Sequence, residues 1–252
     1  YYIAAIMPEN RDAEFTWGEF YRKNNDELVA TYGNFVNRVL SFAERHFGSV
    51  PEAERLENAD REFLENARKL IESASQSIEK CSFQAGIKGV MALAALGNKY
   101  IDDKAPWKQV KEDKDACATT INVALRAVRA LAIATAPFLP FSAQRLWNML
   151  GYENSVHEQR WDEALSEISP GQKFRGIRPL FKKLEHAADS SAEEPSKHEE
   201  MMRRLPLDLR VGEIIEVRDH PQADKLYILD VSLGDETRTL VAGLKKYYKH
   251  EA

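Results

Sequence analysis

Between Asp26 and Phe47 the run DELVATYGNFVNRVLSFAERHF separates into two faces when laid out at roughly 100° per residue. Leu28, Tyr32, Phe35, Val36, Val39, Leu40, Ala43 and Phe47 share one broad face, wide enough to require burial against other helices. Asn34, Arg38, Ser41 and Arg45 form a narrow polar stripe almost opposite. Asn34 and Arg38 are spaced i, i+4, so their side chains project side by side. An amide beside a guanidinium is a compact set of donors with one acceptor, suited to base edges or phosphates. A solvated stripe on an amphipathic helix is the plain alternative, and this helix alone leaves both readings open.

The rest of the chain supplies the helices that such a face needs. Thr16 is an expected N-cap, with Glu19 completing a capping box ahead of Trp17, Phe20 and Tyr21. That helix is expected to bend near Asn24–Asp26, and Gly48 with Pro51 ends the stretch that follows. Helical spacing returns over 60–80 (Phe63, Leu64, Ala67, Leu70, Ile71, Ala74, Ile78), over 83–102 and over 115–135. After Pro137 a shorter helix runs through Trp147 and Leu150 to Gly151. Amphipathic helices with short connections are the pattern of a helix bundle. Ala and Gly at 85, 86, 89, 92, 94, 95 and 97 predict close contact between helices.

Beyond the helices the composition changes. Residues 151–184 are irregular, with GQKFRGIRPLFKKL at 171–184 mixing turn formers, cations and apolar groups. Residues 185–205 open with EHAADSSAEEPSKHEE, too acidic and too poor in bulky apolar groups to order by burial, and are expected to form a flexible linker. From 206 the period becomes two: 209–217, 226–233 and 237–244 read as strands, with Gly234-Asp235 as the last turn. Three strands are too few to close a barrel, so 206–252 is expected to be an incomplete β domain. Residues 1–12 resemble the tail of a preceding domain, leaving 13–184 as the helical domain of a mainly α chain.

Composition narrows the classes. Hydrophobic content of 44% with 30% charged residues describes a globular chain, and no apolar run approaches the roughly 20 residues of a membrane helix, so a membrane span is excluded. Cys81 and Cys117 sit in helical patterns without neighbours of ligand type, reading as small buried groups in a reducing, cytoplasmic setting. His46, His157, His186, His198, His220 and His250 are scattered, and no glycine-rich phosphate loop or nucleophile elbow occurs. A net charge of −5 does not advertise a nucleic-acid binder, so such a partner must be read from local patches.

One such patch is KYIDDKAPWKQ at 99–109. Pro106 disfavours a helical Ala105 and suits a first helical turn, which puts Trp107 at a helix start just after a loop. With Lys104, Lys108 and Lys111 around it, an aromatic face there can stack an unpaired base while the lysines hold phosphates. A Trp folded back as a hydrophobic staple, among merely solvated lysines, is the competing reading.

GNFVNR at 33–38, KAPW at 104–107, and YYIAAIMPENRD followed by FTW together resemble the methionyl-tRNA synthetase family, in the part that follows its catalytic domain. The likeness covers residues 1 to about 184. It implies an α-helical domain that binds the CAU anticodon of tRNA(Met), with the family's anticodon-reading residues falling on Asn34, Arg38, Pro106 and Trp107. Lys104, Lys108 and Lys111 would be supporting phosphate contacts. Some members carry a further Asn one turn earlier, where this chain has Ala30. LDLRVGEIIEVRDHPQADKLYILDVSLG at 207–234 is similar to the family's appended oligonucleotide-binding-fold domain, which implies shape-based tRNA binding and often a homodimer. The His-Ile-Gly-His and Lys-Met-Ser-Lys-Ser signatures are absent, so catalysis, ATP, Mg and any Zn are expected to belong to an upstream domain. The competing expectation is a non-catalytic helical interaction module with a protein-docking β domain; a Trp107 exposed beside Arg38 would favour RNA, a buried one the scaffold.

Overall fold

Helix α7 (Lys114–Thr135) runs through the middle of the helical unit, and most of the other helices pack against it. The computed structural model describes residues 1–9, 13–185 and 211–248, in two units, Tyr1–Ala188 and Asp189–Ala252. In the first, α1 (Tyr2–Ile6) and α2 (Trp17–Arg22) lead into a π-helical stretch, Lys23–Gly33. Then come α3 (Asn34–Phe47), α4 (Asn58–Glu79), α5 (Phe83–Lys104), α6 (Pro106–Glu112), α7 and α8 (Pro140–Met149). Residues 1–9, expected as the tail of a preceding domain, carry α1, which packs on α5 and buries Tyr2.

The sequence stripe on α7 understates its burial. Ile121, Leu125, Val128 and Leu131 are enclosed as expected, but so are Thr119, Thr120, Asn122, Arg129 and Thr135 on its other sides. A helix surrounded by α3, α4, α5, α6 and α8 must be apolar nearly all round. Contrary to the sequence reading, α7 is therefore long and apolar enough to cross a membrane by length and composition, yet 83% of its most apolar window is buried in the bundle. Two of its polar side chains tie the bundle together: Asn122 Nδ2 donates to the Pro51 carbonyl at 2.8 Å, and the Tyr32 and Thr135 hydroxyls share a buried bond of 3.2 Å.

Two details differ from the expected helix ends. Thr16 caps α2 through the Glu19 N–H, but the returning bond of a capping box is replaced: the Thr16 N–H donates to the Tyr2 hydroxyl at 3.3 Å. The full box belongs instead to α4, formed by Glu57 and Asp60. Cys117 is buried as expected, whereas Cys81 is exposed in the turn after α4, with φ at 58°.

The irregular stretch 151–184 is held by side chains of the helices. Arg126 Nε donates to Leu165 O at 2.8 Å, and Arg129 Nη1 to Ala164 O at 2.9 Å. Asn24 and Asn25 clamp its end through the Lys182 and Leu184 carbonyls, and Phe181 packs on Tyr32 with ring centres 5.4 Å apart. The bend expected near these asparagines is not a break; the chain passes from α- to π-helix there.

The second unit contains a three-stranded antiparallel meander, β1 (Glu213–Asp219), β2 (Tyr227–Ser232) and β3 (Thr237–Ala242), with a bulge between Ile214 and Glu216. Tyr227, Leu229 and Val231 alternate onto the buried face of β2, as their spacing requires. The turn falls at Gly234-Asp235, closed by a Leu233 N–H to Glu236 O bond of 2.8 Å. Strand β1 begins later than the sequence suggests and extends to Asp219. The expected linker lies, apart from residue 185, outside the described residues, as do the first residues of the expected first strand.

Candidate nucleic-acid interface

Asn34 is the first residue of α3, where the π-helical stretch gives way to α-helix. The wider π turn is possible because residue 33 is glycine: a Cβ there would stand 2.9 Å from the Leu28 carbonyl oxygen. At this change of winding the Asn34 N–H is shared between the Val29 and Thr31 carbonyls. Such π segments commonly re-aim side chains at functional sites. Here the result is an exposed Asn34 and a part-exposed Arg38 on the outer side of a helix whose other face is wholly core.

What they meet is α5. Gly97 lets the two helices approach, since a Cβ at that position would lie 2.4 Å from Phe35 Cζ. The next residue, Asn98, accepts from Asn34 Nδ2 at 2.9 Å and, more weakly, from Arg38 Nη1 at 3.5 Å. Its own Nδ2 donates to the Thr31 and Ala94 carbonyls at 2.9 and 3.2 Å. One turn on, Asp102 Oδ1 accepts from Arg38 Nη2 at 2.6 Å. The paired spacing of Asn34 and Arg38 on α3 is thus matched by Asn98 and Asp102 on α5. Neither partner stood out in the sequence, because a polar residue on a helix reads as solvated until its neighbour is known.

Trp107 completes the cluster from a third element. Ala105 takes a left-handed conformation, φ 46°, which ends α5 and starts α6 at Pro106. Pro106 is buried, and its carbonyl accepts from the Cys117 thiol at 3.5 Å, fixing the start of α6 to α7. Burial pushes that thiol up to about 11, so it stays protonated. Trp107 itself is 43% exposed, and its ring centre is 5.6 Å from Arg38 Cζ. It is not a staple: the indole stands at the surface beside the guanidinium. Lys108 and Lys111 are exposed along the same short helix.

Lys104 requires a correction. Expected as a phosphate contact, its ammonium sits between Glu57 Oε2 at 2.8 Å and Asp60 Oδ1 at 3.0 Å, with the side chain 11% exposed. Asp60 is fully buried and also accepts from the Tyr100 hydroxyl at 2.7 Å and the Glu57 N–H at 2.8 Å. A buried carboxylate needs this many partners, and the cation is one of them. Burial by itself would lower the Lys104 pKa, but the bonds to Glu57 and Asp60 outweigh it and hold it above its ordinary value. Burial first, and then the bond to Asp60, push the Tyr100 hydroxyl upward. Lys104 therefore ties the end of α5 to the start of α4 and so steadies the turn that presents Trp107.

The surface combines an amide, a guanidinium with free donors and an exposed aromatic ring, the kit for binding an unstacked base by its edge and its face. Among the described residues no group of three or more His, Cys, Asp or Glu could hold a metal ion.

Residues 50–198 match the family model described as the anticodon binding domain of methionyl tRNA ligase, residues 1–40 that of tRNA synthetases class I (M), and residues 209–252 a tRNA binding domain. The chain is 39% identical, over 307 aligned residues, to the methionine–tRNA ligase of Pyrococcus abyssi, covering all of this chain and 42% of that protein. For the Methanopyrus kandleri enzyme the figures are 39% over 266 residues and 39% of the protein. The apo structure of Mycobacterium tuberculosis methionyl-tRNA synthetase shares the fold, with a TM-score of 0.68 over 73% of this chain and 38% of that one at 23% identity. The chain spans about two fifths of the length of the relatives it matches. On the match over 50–198, which takes in α4 to α8 and the Trp107 turn, the chain belongs to the methionyl-tRNA ligase family.

Proposed function

We propose that this chain is the tRNA-recognition part of a methionine–tRNA ligase and that it reads the CAU anticodon of tRNA(Met) for aminoacylation carried out elsewhere in the enzyme. The observation that carries this reading is the exposed Trp107 beside Arg38, which shares its partner Asn98 with Asn34. In a mere scaffold, an indole at this position would be covered; here it is open next to donors that suit a base edge. Arg38 and Asn34 take the anticodon bases, Trp107 stacks on one of them, and buried Pro106 sets the start of the helix that carries the ring. Lys108 and Lys111 hold phosphates, while Lys104 supports the platform from within. The β unit adds tRNA affinity without sequence choice and provides the surface for a homodimer. ATP and Mg, with any Zn, act in the catalytic part of the enzyme, in the cytoplasm.

Salt-dependent binding of the full chain to methionine tRNA, and to the same tRNA with a changed anticodon, tests the proposal. Anticodon-dependent affinity is the expected result. Arg38→Ala is expected to reduce discrimination between anticodons more than overall affinity, since a base-edge contact carries sequence information and a phosphate contact does not. Equal, weak binding to all anticodons by the unmodified chain would overturn the reading in favour of a protein-docking module.

A further inference from the structure

We infer that Asn98 is the residue that sets the specificity of the reading pair, by fixing which end of the Asn34 amide faces the RNA. This deepens the proposed function and rests on it.

A side-chain amide has an acceptor end and a donor end of nearly equal shape, so its direction is decided only by its partners. For Asn98 those partners leave no choice. Thr31 O at 2.9 Å and Ala94 O at 3.2 Å are backbone carbonyls, which can only accept. Asn98 must therefore turn Nδ2 toward them and present Oδ1 to α3. That oxygen in turn demands a donor, and Asn34 supplies Nδ2 at 2.9 Å. The acceptor end of Asn34 is left pointing outward from an exposed position. Arg38 has only donors, and its Nη1 meets the same oxygen at 3.5 Å. Two carbonyls thus polarise a chain of amides, ending in an outward acceptor on Asn34 beside the outward donors of Arg38.

The change from π to α winding is part of this device. Thr31 lies three residues before Asn34, and its carbonyl receives both the Asn34 N–H and the Asn98 amide. The backbone that starts α3 therefore also orients the side chain that α3 presents.

The chemical consequence concerns the base opposite. An acceptor beside donors complements an edge that offers an amino hydrogen next to ring acceptors. Cytosine and adenine have that edge; uracil and guanine place an oxygen where Asn34 also places one. The pair should therefore favour an amino-bearing base and reject its oxo counterpart. Without Asn98, the Asn34 amide is free to turn over and offer its donor to uracil.

The test is Asn98→Ala in the full chain, with stem-loops carrying CAU and UAU anticodons and an AAU control. The expected result is a roughly tenfold fall in the CAU to UAU preference, the order of one good edge contact. Most of it should come from tighter UAU binding, with the melting temperature little changed. Asn98→Asp keeps the oxygen for Asn34 but cannot donate to the two carbonyls, and serves if the alanine variant does not fold. It should retain more of the preference than alanine does. A second measurement needs no RNA: in the free protein the Asn34 Nδ2 hydrogen that faces Asn98 should exchange more slowly than its exposed twin, and Asn98→Ala should remove the difference. An unchanged preference in a folded variant, or an Asn34 amide that exchanges freely in the unmodified protein, overturns the inference. If the unmodified chain shows no anticodon preference while the Asn34 amide is protected, the functional reading fails and the orientation of the amide stands.

Discussion

Arg38 and Trp107 belong to different helices, α3 and α6, yet the guanidinium carbon lies 5.6 Å from the centre of the indole ring. At exposed sites such a cation–π contact contributes about 0.5–1 kcal/mol. The same guanidinium also pairs with Asp102 at 2.6 Å, so the ring, the cation and the carboxylate restrain one another. The pair is held at the surface before any ligand arrives, which lowers the ordering cost of binding a splayed base.

Trp107→Ala should weaken binding of an isolated CAU stem-loop by about 1–3 kcal/mol, the value of one stacked base. Thermal unfolding should change little, because the ring is 43% exposed and contributes little to the core. Calorimetric binding and a melting curve on the same variant check both halves. A collapsed melting temperature with intact affinity per folded molecule would make Trp107 a packing residue.

Lys104→Met should behave in the opposite way. Removing the cation leaves Asp60 buried beside the Tyr100 hydroxyl without its charge partner, a loss on the order of 3 kcal/mol in folding stability. The salt dependence of tRNA binding by the folded variant should be unchanged. Lys108→Ala and Lys111→Ala should each reduce the slope of log K against log salt by about 0.7–0.9, the share of one phosphate contact. A reduced slope for the Lys104 variant would return that residue to the RNA surface.

The Lys104 contribution has a defined pH window. Its folded-state pKa is raised above the ordinary 10.5, so the stabilisation is complete below that value. It fades as pH climbs through the higher folded pKa, when the folded ammonium loses its proton as well. The stability gap between the unmodified chain and Lys104→Met should stay constant from about pH 7 to 10 and narrow above it. Urea unfolding of both proteins at three pH values measures the gap directly. A gap that widens with pH contradicts the pairing.

Gly97→Ala places a methyl 2.4 Å from Phe35 Cζ, and the aromatic ring has core on its other sides. Overpacking of this kind costs about 1–3 kcal/mol. Because it pushes α5 from α3, it should also loosen the Asn34–Asn98 bond and erode anticodon preference in the molecules that remain folded. Chemical denaturation together with CAU and UAU binding reads both effects. Unchanged preference at reduced stability would mean that the ring, and not the helix, gives way.

The bundle was legible because its signals are periodic. Leu28, Tyr32, Phe35, Val36, Val39, Leu40 and Ala43 are all buried, as their spacing demands. Pro106 likewise announced a new helix with Trp107 near its start. What could not be read were relations between distant residues. Asn98 and Lys104 are ordinary helix-surface residues until α3 and α4 are placed against α5, and Lys104 then turns inward to Asp60. The winding of Lys23–Gly33 was equally hidden, since an apolar stripe looks the same for α- and π-helix over so few turns. Cys81 continues the helical spacing of α4 in the sequence, yet its positive φ turns the chain away just after the helix ends and leaves the thiol exposed.

The last prediction concerns the sheet. Strand β2 pairs on both sides and buries Tyr227, Leu229 and Val231, but among the described residues β1 and β3 each pair on one side only. Ile214, Ile215, Leu240 and Val241 are between 49% and 60% exposed. A small apolar cluster with two open edges cannot match the protection of α7, which is enclosed on every side. Amide hydrogens of α7 should therefore exchange only through global opening, while those of β1 and β3 exchange orders of magnitude faster through local opening. Raising the protein concentration should slow the β1 and β3 amides selectively if a second copy covers the open sheet, and should leave α7 unaffected. Exchange in 213–242 as slow as in α7 at high dilution would show that this sheet is stable by its own packing, and the argument from its open edges would fail.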